Sequence, residues 1–111
     1  MRCIIELIGR LSSDPMIRPS HGGDRHAFLK IETIERWQDR TSGAQRTRST
    51  WHDVKVAKSG IVKAIERQLK QGDLVFVAGT LRYSEWTDAS EVKRKTAEIL
   101  VKAAEHQLIF L

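Results

Sequence analysis

The stretch Thr50-Trp51-His52-Asp53-Val54-Lys55-Val56-Ala57, followed after Lys58 by Ser59-Gly60-Ile61-Val62-Lys63-Ala64-Ile65-Glu66-Arg67-Gln68-Leu69-Lys70-Gln71-Gly72, changes its period in the middle. From Thr50 to Ala57 the period is two. His52, Val54 and Val56 fall on one face, and Trp51, Asp53, Lys55 and Ala57 on the other. An indole that shares its face with a lysine points away from a core. From Ser59 to Gln71 the period is helical, with Ile61, Val62, Ile65 and Leu69 forming one apolar stripe. Ser59 is the expected N-cap and Gly72 the expected stop.

Upstream of this junction lie two further strands. Cys3 to Leu11 is rich in β-branched residues and ends at the turn cluster Ser12-Ser13-Asp14-Pro15. After a short extended piece, Met16-Ile17-Arg18, and the loop Pro19 to Asp24, His26 to Arg36 alternates with Leu29, Ile31 and Thr33 on one face. Residues 38–49 contain no large apolar side chain and three arginines, which predicts an exposed, mobile, cationic loop. Downstream, Leu74 to Tyr83 reads as a long strand with Gly79 marking a bend or bulge. Trp86 to Glu91 reads as a hairpin tip, and Lys93 to the end as the last strand. Three strands, one helix and two strands make an all-β chain, a five-stranded oligonucleotide-binding (OB-fold) barrel with one helix between strands three and four. Residues 1–111 are expected to form one such domain.

Lys and Arg number 19 against 14 Asp and Glu, a net charge of +5 spread along the chain. That distribution predicts a folded cationic surface and a polyanionic partner. A lone cysteine, Cys3, excludes an intramolecular disulfide, and the apolar run at the start is too short for a signal peptide or membrane span. The expected location is cytoplasmic and nucleoid-associated, with no membrane partner. His21, His26 and His106 share no ligand spacing with Cys3, and Gly22-Gly23 precedes a strand and lacks the Lys-Ser/Thr ending of a phosphate loop. Glu98 and Glu105 read as solvated or interfacial. Neither an enzyme nor a cofactor is expected.

Trp37, Trp51 and Trp86 each stand among charged or polar residues: Glu-Arg-Trp-Gln-Asp, Ser-Thr-Trp-His-Asp and Ser-Glu-Trp-Thr-Asp. Indoles interleaved with Arg and Lys suit a single-stranded nucleic acid, whose bases stack while its phosphates pair with the cations. Local context alone favours this no more than three amphipathic tryptophans that bury their rings.

Several stretches, taken in order, resemble the bacterial single-stranded DNA-binding protein family. They are Leu7-Ile8-Gly9-Arg10-Leu11 with Asp14-Pro15, Glu35-Arg36-Trp37 with Thr41-Ser42-Gly43, Thr50 to Val54, Leu69 to Arg82, and Trp86-Thr87-Asp88. The resemblance runs from about Cys3 to Phe110. It implies an OB-fold barrel, usually assembled as a homotetramer (a dimer is the other option), around which single-stranded DNA wraps. It also implies stacking at Trp37, Trp51 and Trp86. Arg36, Arg46, Arg48, Lys55, Lys58, Arg82, Lys93 and Arg94 are the expected phosphate contacts. Within the cluster Lys93-Arg94-Lys95 a solvated hairpin edge is the other reading. His52 is expected at a subunit interface or as a satisfied buried histidine, and Tyr83 at an interface or on the DNA face.

The chain departs from the family pattern in places. Ala57 stands where a fourth stacking aromatic is usual, and Asp53 and Glu85 stand where basic residues are common. One lost stack is worth about 1–3 kcal/mol, so weaker and more salt-sensitive binding is expected. The C-terminal linker and acidic tip typical of the family are not seen after Leu111, so tail-mediated recruitment of replication enzymes is not expected. A short tail-less member and the core of a longer chain both fit. The expected role is protection of single strands in replication, recombination or repair. The alternatives are a degenerate OB-fold adaptor or a primosome-type accessory protein that acts through protein–protein assembly. Restoring the aromatic with Ala57→Phe is expected to tighten binding to oligothymidylate; unchanged affinity would mean that Ala57 does not face the DNA.

Overall fold

The computed structural model describes residues 1–111. Along the chain run β1 (Ile5–Leu11), β2 (Met16–Pro19), β3 (Arg25–Gln38), β4 (Gln45–Val56), α1 (Ser59–Gln68), β5 (Leu74–Thr87), β6 (Lys93–Val101) and β7 (Gln107–Phe110). Five strands pair in the order β1-β3-β4-β6-β5, and a β1–β5 pairing closes the barrel. β2 adds to β3 and β7 adds to β5. Every pairing is antiparallel except β4 with β6.

Alternation explains the interior. Ala27, Leu29 and Ile31 of β3, Val54 and Val56 of β4, Val75 and Val77 of β5, and Ile99 and Val101 of β6 are all buried. Val62 and Ile65 on one face of α1, and Leu69 just past its end, join the same cluster, so the helix adds its apolar stripe to the barrel interior. The sequence-predicted stripe is correct, but two details change. The cap is Lys58 in extended conformation with no side-chain cap bond, so Ser59 is the first helical residue and not the N-cap. The helix ends at Gln68, where Leu69 turns extended, ahead of Gly72. Gly72 has a φ of 91° and donates its N–H to Leu11 O at 2.8 Å, which ties the loop after the helix to the end of β1.

The largest departure from expectation is at residues 38–49. β3 and β4 stay paired from Ala27↔Val56 out to Trp37↔Arg46 and Gln38↔Gln45, so half of the expected loop is ladder. A ribbon solvated on both faces needs no apolar alternation, and the register set in the barrel propagates outward. β5 and β6 do the same as far as Thr87↔Lys93. Trp86 therefore lies within a strand, and the turn begins at Asp88. These two arms raise the radius of gyration to 16.2 Å, where a compact chain of this length has about 13 Å.

The expected last strand is broken at residues 102–106. His106 Nδ1 accepts the N–H groups of Lys102 and Ala103, both at 3.0 Å, which sets its proton on Nε2. The ammonium of Lys58 donates to the carbonyls of Ala103 and His106 at 3.2 and 3.1 Å. This clasp turns the chain from β6 into β7.

Gly79 is not a bulge. It pairs in register with Ile5, at the point where β5 leaves β1 and β7 and takes up β6. A Cβ there would lie 2.5 Å from Leu100 O, a backbone atom with no freedom to move aside. Gly79→Ala is therefore expected to destabilise the barrel by about 1–3 kcal/mol, read as a lower urea midpoint at unchanged slope.

Candidate nucleic-acid interface

All three tryptophans are exposed although they sit in regular strands: Trp51 by 57%, Trp86 by 49% and Trp37 by 42%. They do not share one surface. With Val54 and Ile99 buried opposite each other, odd positions of β4 and even positions of β6 face outward. Trp51, Asp53 and Lys55 thus lie on the outer face, beside Phe28, Lys30 and Glu32 of β3. Arg82, Ser84 and Trp86 of β5 lie on that same face with Arg94, Thr96 and Glu98 of β6. Trp37 has the opposite parity. It continues the row Leu29, Ile31 past the barrel, on the arm surface that also carries Arg46 and Arg48.

Each indole has its own cationic company. The Arg48 guanidinium lies 5.7 Å from the centre of the Trp37 ring, and Arg46 is directly across the ladder. Arg94 is the cross-strand neighbour of Trp86. Trp51 borders a hollow of about 300 Å³ also lined by Ile5, Leu81, Ala97 and Ile99 and by Asp53 and Glu98. Asp53 is held 3.5 Å from Lys30, so its opposition to a phosphate is partly cancelled by a residue the sequence reading did not weigh. The exposed pair is weak and exchangeable.

The remaining expected site residues divide clearly. Arg82 is on the outer face two alternations below Trp86. Arg36 is on the outer face of its arm and borders a separate hollow with Ile8, Arg10 and Ile34. Lys93 has the opposite parity to Trp86 and lies across from Thr87, so Lys93 and Arg94 do not act on one surface. Lys58 is a correction: its ammonium is committed to the carbonyls of the β6–β7 turn and is not a free cation beside the indoles. His52 is half-buried, with Nε2 2.9 Å from the Thr33 hydroxyl. Tyr83 is 62% exposed, and the Lys95 ammonium lies 4.8 Å from the centre of its ring.

Phe28 was missed. The same parity argument that exposed Trp51 applies to it, because it alternates with Lys30 and opposes Leu29 and Ile31. The Lys55 ammonium sits 5.8 Å from its ring centre. Such an exposed cation–π contact is worth about 0.5–1 kcal/mol, less than the ~1–3 kcal/mol of a stacked base.

Both arm tips are built alike. Asp39 Oδ1 accepts the N–H groups of Thr41 and Ser42 at 2.8 and 3.2 Å, and its Oδ2 faces Arg46 at 3.5 Å. Asp88 Oδ1 accepts from Ser90 and Val92 at 2.9 and 3.0 Å, and its Oδ2 accepts from Arg94 at 3.0 Å. The backbone N–H of Thr41 is the main reason Asp39 stays ionised below the ordinary value of 3.8, followed by that of Ser42. For Asp88 the order is the Val92 N–H and then Arg94. Each aspartate closes a turn and aims an arginine on the returning strand. No group of three His, Cys, Asp or Glu side chains is placed to hold a metal ion. No helix is long and apolar enough to cross a membrane.

A closed five-stranded barrel with its helix between the third and fourth barrel strands is an OB fold. Its exposed aromatic and cationic side chains define the class as a barrel of the oligonucleotide-binding type. The profile of the single-strand binding protein family matches residues 4–107, and the chain belongs to that family. It is 34% identical over 105 residues to a single-stranded DNA-binding protein of Rhizobium meliloti, covering 95% of this chain and 60% of that protein. It is 32% identical over 105 residues to the Rickettsia felis protein of the same name, covering 95% of this chain and 69% of that one. The Plasmodium falciparum SSB in complex with ssDNA superimposes with a TM-score of 0.92 at 32% identity, covering 100% of this chain and 96% of that one.

Because the folded-state values of Asp39 and Asp88 are depressed, their contribution is complete above the ordinary 3.8 and is lost as pH falls through the lower folded values. The Thr41 and Val92 amide resonances are therefore expected to stay constant from neutral pH to about pH 4 and to shift only below it. Asp88→Asn should abolish that titration at Val92 and leave Thr41 unaffected.

Proposed function

We propose that this protein binds single-stranded DNA without sequence preference and protects it during replication, recombination or repair. The observation that carries this reading is the exposure of Trp51 and Trp86 on one outer face, with Arg82, Arg94, Lys30 and Lys55 in the same alternation. Bases stack on the indoles, which is sequence-tolerant because every base has a π-face. Phosphates pair with the arginines and lysines and release counterions. Trp37, between Arg46 and Arg48 on the far side of the β3–β4 arm, extends the path around the edge of the barrel. No bond-making step is part of this mechanism. The relatives' names and the DNA-bound Plasmodium structure support the reading.

A homotetramer is part of the proposal. Its support is an apolar row on the outside of the barrel. Ile8, Phe76 and Ile109 lie side by side across β1, β5 and β7, and Ile34 flanks Ile8 on β3. Ile8, Ile34 and Ile109 are each about half exposed. β1 also keeps an edge unpaired before Arg10, where its pairing with β3 begins. His52 and Tyr83 remain candidates for contacts between subunits. Native mass spectrometry reports the assembly directly, and a monomer at micromolar concentration would remove this part of the proposal.

Titration with oligothymidylate is expected to quench tryptophan fluorescence strongly, with log K falling by about 0.7 per phosphate neutralised as log salt rises. Trp51→Ala should weaken binding to thymidylate, cytidylate and adenylate oligomers alike, by about 1–3 kcal/mol. A loss confined to one base would argue against stacking. Absence of quenching at low salt would favour the adaptor role.

A further inference from the structure

The β2–β3 hairpin and the end of β4 enclose a third hollow, of about 560 Å³ and open to solvent, that no sequence motif marked. Arg18, His21, His26, Phe28 and Lys55 line it, and no carboxylate does. The register makes this a single surface: Arg18 is directly across from His26, and Phe28 directly across from Lys55. All four are on the outer face that also carries Trp51. Phe28 is half-buried, so its ring is held by the sheet and presents only part of its surface to the hollow. An aromatic platform, two permanent cations and two imidazole donors are the groups that recognise a nucleotide: a flat base and a phosphate.

We infer that Phe28 is an additional stacking platform and that this hollow takes one nucleotide unit of a single DNA strand continuing past Trp51. Its base lies on the Phe28 ring and its phosphate between Arg18 and Lys55. Lys55 is four residues from Trp51 along β4, about 13 Å at the rise of a strand, so one strand following the outer face reaches both. The Lys55 ammonium that now covers the ring leaves it for the phosphate, since stacking on the ring is the stronger of the two contacts. Phe28 thereby supplies an aromatic on the surface where Ala57 supplies none. The inference rests on the single-strand binding proposed above.

Two measurements on the full chain separate this site from that reading. Irradiation with an oligothymidylate carrying iododeoxyuridine, followed by trypsin, is expected to yield a cross-link on the peptide His26–Lys30 as well as on peptides that contain the tryptophans. Phe28→Leu keeps an apolar group against the sheet and removes the π-face. It is expected to weaken binding by about 5- to 100-fold while indole quenching at saturation is retained. Quenching in the unaltered protein with no cross-link on that peptide and no loss in Phe28→Leu would overturn the site and leave the proposed function standing. Absence of both quenching and cross-linking in the unaltered protein would overturn the two together.

Discussion

The β3–β4 ladder is the constraint on which the rest of the molecule depends. It runs unbroken through twelve residue pairs, from Ala27↔Val56 in the barrel to Gln38↔Gln45 at the arm tip. Its inner half is registered by burial, because a slip of one residue would turn Leu29, Ile31, Val54 and Val56 to water. Its outer half has no apolar face to register it and inherits the pairing. Every exposed side chain along the ladder is therefore assigned to a face by the core. Trp51 and Phe28 face outward because Val54 and Leu29 face inward. Trp37 is on the other surface for the same reason.

Closure of the barrel imposes a second condition at two points. At Gly9 and Gly79 a strand changes partners, and a neighbouring backbone passes where a side chain would stand. The bare glycine backbones let β1 approach β3 and β5 approach β6. From that closure come the short parallel contact of β4 with β6 and the outer face shared by Trp51 and Trp86. The arms then depend on their own local chemistry. An aspartate at each tip satisfies two backbone N–H groups and aims an arginine, so the same residue shapes the turn and directs a cation.

Charge is distributed with more balance than a net of +5 suggests. Asp53 is paired with Lys30, Glu32 lies across from Trp51, and Glu98 lies across from Arg82. Lys58 is withdrawn into the β6–β7 turn, where it works with His106 to hold the chain reversal. The hollow beside Phe28 is different, lined by cations and imidazoles with no acid on its wall. Single exposed rings and local cation pairing, more than a uniform positive field, describe how this surface is organised.

The sequence by itself determined the all-β class, the strand–helix–strand order, the outward direction of Trp51 and the apolar stripe of α1. Each of these is a local periodicity, and burial selects a period wherever one side of an element is apolar. The same alternation would have marked Phe28 beside Lys30 and separated Trp37 from Trp51. Only the tertiary structure decided where β3 and β4 end, because a ribbon solvated on both faces carries no hydrophobic signal for its length. The partner of Asp53, the withdrawal of Lys58, the separation of Lys93 from Arg94 and the hollow around Phe28 were likewise decided there. Each depends on which strand lies beside which, a consequence of barrel closure between residues far apart in the chain.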